Sequence, residues 1–183
     1  MNERSVLAKQ KAKEKEIEDF ALDEISSNFQ IPGFLDYADF LNRLEEEVYR
    51  GLQTRSKMTL LLIEIHHFQL IKHDYGSEQT KLILHKVADI ISDLLRESEI
   101  KAYLGEGVYA VILPGAELIR ASMIEIQLDD KFNSLLMPRS RRESTINVSM
   151  KYGKAESPTK GTEAHVIFGK AKKDLEGMEM SGS

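Results

Sequence analysis

The sequence predicts an α+β domain, a central sheet flanked by helices, with a helical extension at its amino end. Three observations carry that reading. Apolar residues recur with helical and strand periods in alternation along the chain. Met58–Ile65 (MTLLLIEI) is a nearly unbroken apolar run, the pattern of a strand covered on both faces. The stretch from Tyr103 to Pro114 (YLGEGVYAVILP) reads as strand, glycine turn and strand, because glycine tolerates the positive φ angles of a tight hairpin.

Taken in order, residues 1–28 form the extension. They are rich in Lys, Glu and Ala, and Ile17, Phe20, Ala21, Leu22 and Ile25 make a thin apolar stripe at helical spacing. The stripe is short for a coiled coil, so a solvated helix packed by its last turns is the simpler reading. Ile31-Pro32-Gly33 ends that helix and opens the domain proper, residues 29–183. Phe34, Leu35, Phe40, Leu41, Leu44, Val48 and Leu52 mark an amphipathic helix ahead of the Met58–Ile65 strand. A second helix is expected from about Glu78 to Arg96, with Ile83, Val87, Ile90, Ile91 and Leu94 on one face. Strands follow at Ile100–Leu104 and Val108–Leu113, then a helix near Ala116–Leu128. Met137–Ser144 is a basic loop carrying Arg139, Arg141 and Arg142. Thr145–Tyr152 alternates like one strand, and Ala164–Leu175 reads as the closing helix.

Bulk properties exclude several function classes. A formal charge of −5 argues against nucleic acid as the main partner, since phosphate binding needs a concentrated positive face. Without cysteine there is no disulfide framework, thiolate metal site or cysteine nucleophile. No apolar run approaches membrane-spanning length, so no membrane partner and a cytoplasmic location are expected.

Several segments in one order resemble the GGDEF family, the diguanylate cyclases that make cyclic di-GMP from two GTP. Leu61–Gly76 (LLIEIHHFQLIKHDYG) is similar to the family's L-L-x-D-I-D-x-F-K-x-I-N-D-x-x-G segment, with Phe68, Ile71, Asp74 and Gly76 in register. Gly105-Glu106-Gly107-Val108-Tyr109 occupies the signature turn, Ile146–Tyr152 resembles the late V-T-x-S-I-G-V strand, and Ile167–Leu175 resembles the last helix. Only Gly33 and the spacing to Phe40 survive from the family's opening motif. The resemblance implies a nucleotidyl-cyclase-like fold.

It also implies where catalysis would reside, and there this chain departs. Two hard metal ions would neutralise the triphosphate, held by carboxylates. The first such position is Glu64, and the signature acids fall on Gly107 and Val108, which offer no side-chain oxygen. The guanine-reading positions are Lys72 and Lys81, donors where an acceptor is needed. Glu106 takes the second signature glycine, putting a negative charge where phosphate would sit, and Glu179 takes the place of a phosphate-binding Lys. The expectation is no cyclase activity, no metal and no cofactor. His66 and His67 adjoin Glu64, but strand alternation would point them apart and rule out a shared ion.

Arg96 and Glu99 remain. The resemblance places them at the R-x-x-D motif that binds cyclic di-GMP at an inhibitory site, with Glu in place of Asp. Arg can fork onto guanine O6 and N7. A second arginine often completes that site from the helix after the signature; the matching position is Gln127, with Arg120 two turns earlier. The leading expectation is therefore an inactive cyclic di-GMP receptor. The alternative is a ligand-independent interaction module that docks a signalling protein or forms a homodimer through its first helix. Free, convergent Arg96 and Glu99 side chains would favour the receptor, and internal pairing would favour the module.

Overall fold

The computed structural model describes residues 29–133, 137–138, 145–146, 148–157 and 163–177. The amino-terminal extension, Arg139, Arg141, Arg142 and Glu179 lie outside the described residues. Helix α1 spans Tyr37–Thr54, strand β1 Met58–Ile65, helix α2 Phe68–Leu94, β2 Ile100–Gly105 and β3 Val108–Pro114. Helix α3 (Leu118–Asn133), the short strands β4 (Met137–Pro138) and β5 (Thr145–Ile146), β6 (Met150–Ser157) and α4 (Ala164–Gly177) complete the order.

The main sheet runs β2-β3-β1-β6 with every neighbouring pair antiparallel. Strand β1 is central, which explains its continuous apolar sequence. Leu61, Ile63 and Ile65 pack with α2 and α3 residues such as Leu84, Ile91 and Ile124. Met58, Leu60 and Leu62 face the opposite way, toward Phe40 and Leu44 of α1 and Ile167 and Ala171 of α4. The alternation of β1 thus feeds two cores, one on each side of the sheet.

Local chemistry sets the boundaries. Asp36 caps α1, its carboxylate accepting the Asp39 N–H at 2.9 Å, and Arg55 closes the helix in the left-handed region at φ 55°. At β6 the closeness of α4 demands glycine: a Cβ on Gly153 would lie 2.2 Å from the Ala171 carbonyl oxygen. The sheet edges are blunted. Leu35 bridges to β2 through hydrogen bonds with Lys101 and Tyr103, and the Asp174 carboxylate accepts the outward Lys154 N–H at 2.9 Å.

Two elements differ from the sequence expectation. Helical chain already begins at Phe68, and a break at Gly76 (φ 73°, ψ 175°) divides α2 into a short first run and the longer run expected from about Glu78. The expected single strand over Thr145–Tyr152 is divided: Thr145–Ile146 pairs with β4 in a separate ladder, and the main-sheet strand begins at Met150 and continues to Ser157.

Candidate functional site

The β2–β3 hairpin projects one end of the sheet. Its turn residues Glu106 and Gly107 have φ of 51° and 77°, the pair of positive angles a two-residue I′ turn requires. Glycine suits such angles, and glutamate adopts them at a cost. Gly107 is also fixed by packing, because a Cβ there would lie 2.6 Å from the Phe68 ring. Its carbonyl accepts the Ile65 N–H at 3.0 Å, and its own N–H donates to the Tyr103 hydroxyl at 3.2 Å. Burial pushes that phenol up to about 12, so it stays a neutral acceptor. Together these contacts lock the hairpin tip to the end of β1.

Glu64 stands on β1 opposite Val108 of β3 and Lys151 of β6, half-buried. Among the described residues no group of three or more His, Cys, Asp or Glu side chains gathers to hold a metal ion. Glu106 turns onto α2. Its carboxylate pairs with the Lys72 ammonium, at 3.1 and 3.3 Å for its two oxygens, and accepts from the Gln69 amide. Lys72 is buried beside Phe68, its ammonium 5.6 Å from the ring centroid. Lys81 is not drawn into this pair; it is half-buried on α2 and meets Glu78 at 3.6 Å. The sequence treats Lys72 and Glu106 as two separate departures, 34 residues apart. In space they are one feature, and only their opposite charges hinted at it.

The histidines correct a sequence expectation. His66 and His67 do not diverge; their rings stack at 3.7 Å with 24° between planes. The reason is backbone: β1 ends at Ile65, and His67 adopts φ 56°, which ends the alternation and swings its ring back over His66. Stacked imidazoles present faces to one another rather than two nitrogens to one ion.

At the other side of the hairpin, Arg96–Glu99 is a tight turn leading into β2. The Glu99 N–H donates to the Arg96 carbonyl at 3.0 Å, and the Arg96 N–H donates to the Glu99 carboxylate at 2.8 Å. Arg120 of α3 completes the cluster. Its Nε donates to Glu99 Oε1 and its Nη2 to Glu99 Oε2, both at 2.7 Å, while Nη2 also reaches the Leu94 carbonyl at 3.2 Å. Arg120, two turns before the matching position Gln127, therefore reaches Glu99, and Gln127 is exposed on another part of α3. The Glu99 side chain is only 4% exposed. Burial works against its charge, but the Arg120 fork and the Arg96 N–H outweigh that and hold its pKa below the ordinary carboxylate value. The same fork raises Arg120. The Arg96 side chain is exposed.

One further surface was invisible as a site in the sequence. Helix α3 buries Ala121, Ile124, Leu128 and Phe132, yet Ile119, Met123 and Ile126 on its opposite face are 67%, 50% and 63% exposed. Their spacing, three and four residues apart, is that of a second apolar stripe.

Comparison with known proteins decides the family. Residues 33–183 match the family described as "Diguanylate cyclase, GGDEF domain". The chain belongs to the GGDEF family. Among solved structures it is similar to the FimX GGDEF domain of Pseudomonas aeruginosa, with a TM-score of 0.77 and 20% identity over 86% of this chain and 96% of that one. The GGDEF domain of DgcB from Caulobacter crescentus, in complex with c-di-GMP, gives 0.78 and 16% over 86% and 91%. Diguanylate cyclase SiaD of Pseudomonas aeruginosa, in complex with its activator SiaC, gives 0.75 and 19% over 98% and 68%. These likenesses establish the GGDEF fold read from the sequence: a four-stranded antiparallel sheet and, among the described residues, four helices. No described helix is long and apolar enough to cross a membrane.

Proposed function

We propose that this chain is a catalytically silent GGDEF domain that signals by docking to another protein, in the cytoplasm. The observation that carries the first half is the Lys72–Glu106 pair. These residues stand where the family's resemblance puts a guanine reader and a glycine that lets backbone approach phosphate. Here they satisfy each other, so neither the donor nor the acceptor is available to a nucleotide. With Gly107 and Val108 at the acidic signature positions, Glu64 is left to face a metal alone.

Glu99 directs the second half toward docking. Cyclic di-GMP would need that carboxylate to accept from guanine, yet its two oxygens already accept three N–H groups and its side chain is buried. The exposed α3 stripe supports a protein partner, since contiguous apolar surface is where proteins meet. SiaD, a relative in fold, is seen with a protein activator.

The receptor reading has one observation in its favour. Arg96, Glu99 and Arg120 form a single cluster, which supports it by bringing two arginines together, and DgcB is seen with c-di-GMP. A ligand would have to open the Arg120 fork to use it. Two measurements test the proposal. Purified protein with GTP and Mg²⁺ or Mn²⁺ should form no cyclic di-GMP above background; turnover abolished by Glu64→Ala would overturn the silent reading. Calorimetric titration with cyclic di-GMP should give no saturable heat. Saturable binding lost in Arg96→Ala would replace docking with the receptor reading.

A further inference from the structure

We propose that Tyr103 couples the segment by which the chain enters the domain, Phe29–Leu35, to the hairpin tip, so that a displacement at Phe29 is carried to Gly107. Tyr103 is engaged at three points. Its N–H donates to the Leu35 carbonyl at 2.9 Å, and the Leu35 N–H donates in turn to the Lys101 carbonyl at 3.0 Å, which knits β2 to the entry segment. Its ring meets Phe29 edge-on, with centroids 5.9 Å apart and planes at 88°. Its hydroxyl, at the far end of the ring, accepts the Gly107 N–H at 3.2 Å. Tyrosine is suited to this place because one side chain supplies both an apolar ring and an acceptor at its tip. Phenylalanine would keep the first contact and lose the second.

The tip side of this link has no slack. Tyr103 is 7% exposed and packs on Tyr109, its cross-strand partner, at 5.0 Å between centroids. Gly107 sits against the Phe68 ring with no room for a Cβ, and its carbonyl holds the Ile65 N–H. Packing this dense passes a shift on rather than absorbing it. The entry side is looser. Phe29 is half-buried between Tyr103 and exposed His85, whose ring centroid is 5.3 Å away, and a cleft of about 190 Å³ lined by Phe29, Phe34, Leu35 and Tyr103 opens beside it. The Phe29 ring can leave Tyr103 for that cleft without crossing a packed core. Phe29 is thus the element with two arrangements, and Tyr103 is the positioning residue that joins it to the tip. Residues 1–28 precede Phe29 in the chain, so a pull on the extension acts first on this ring.

Amide hydrogen exchange of the full chain, followed by NMR, reads the coupling. Rates at Gly107 are taken relative to Ile91, a fully buried core residue that reports global opening, so that any general loss of stability in a variant cancels. Tyr103→Phe removes the acceptor and keeps the ring, and should speed Gly107 exchange roughly fivefold. Phe29→Leu should speed it roughly threefold in the parent chain. In the Tyr103→Phe background the same substitution should leave the Gly107 rate unchanged, because the link is already cut. Equal acceleration by Phe29→Leu with and without the Tyr103 hydroxyl would reveal two independent effects and overturn the proposal. An unchanged Gly107 rate in Phe29→Leu alone would overturn it as well.

Discussion

The hairpin tip offers a test in which two opposing effects can be separated by one atom. Glu106 pairs with buried Lys72 but holds a left-handed backbone at φ 51°. Glu106→Ala removes the pair and keeps the strained angle; Glu106→Gly removes both. An L-residue in that region costs about 1–2 kcal/mol relative to glycine. The pair itself is intermediate in exposure, with the Lys72 side chain 7% exposed and that of Glu106 45%. An exposed pair contributes about 0.2–1 kcal/mol and breaking a fully buried one costs about 3–5 kcal/mol, so this one should fall near 1–3 kcal/mol.

Glu106→Ala is therefore expected to destabilise by about 1–3 kcal/mol, and Glu106→Gly by about 1 kcal/mol less. The reverse truncation, Lys72→Met, should be milder than Glu106→Ala, because it leaves a half-exposed carboxylate in water rather than a buried ammonium without a partner. Urea unfolding of the three variants, compared at constant m-value, reads these differences directly. Equal midpoints for the alanine and glycine variants would refute the strain argument. Wild-type stability in Glu106→Ala would refute the claim that the pair holds the tip.

Gly107→Ala should cost about 3 kcal/mol, since it meets the Phe68 ring and a φ of 77° at once; urea midpoints check it, and a neutral result would remove Phe68 as the reason for glycine. Glu99 has a lowered folded pKa, so its stabilising effect is present above the ordinary glutamate value of about 4.3 and fades as pH falls through the folded value. Glu99→Gln should then flatten the acid limb of the stability curve below that point, as followed by thermal unfolding between pH 3 and 7 (roughly the range in which carboxylates titrate), while Arg120→Ala should destabilise at neutral pH by leaving a buried charge unpaired. The double substitution Ile119→Ser, Ile126→Ser should change stability by less than about 1 kcal/mol because both side chains are exposed. Loss of partner binding in that variant, measured by light scattering or pull-down against an identified partner, is the outcome the docking reading expects.

The fold was legible because its strongest signals are periodic. Met58–Ile65 and Val108–Leu113 read as strands from composition alone, since a strand covered by helices on both sides must be apolar throughout. The start of α2 was not legible. Phe68–Tyr75 looks like the end of a family motif, yet it forms a short helical run of its own, which Gly76 (φ 73°, ψ 175°) ends before the longer helix begins. The Thr145–Tyr152 alternation misled for a different reason: periodicity identifies extended chain but not which ladder it enters.

The site was legible position by position and illegible in its couplings. Glu64, Lys72, Glu106 and Val108 each register as a change of charge or volume, and reading them singly suggests four independent losses. The structure joins Lys72 to Glu106, and sets Val108 directly across from Glu64 on the neighbouring strand. Such a pairing has a physical cause. A lysine buried against Phe68 without a carboxylate would be costly, and a glutamate at a left-handed turn is tolerable where a strong partner compensates its strain. Arg120 teaches the same lesson on the other side: it lies two turns before the matching position Gln127, but the turn at Arg96–Glu99 presents its carboxylate to the first turn of the helix. Each side of the hairpin is thus closed by an ion pair between elements distant in sequence. Each pair ties the hairpin region to a neighbouring helix, while the Arg96 side chain and the α3 stripe stay exposed among the described residues.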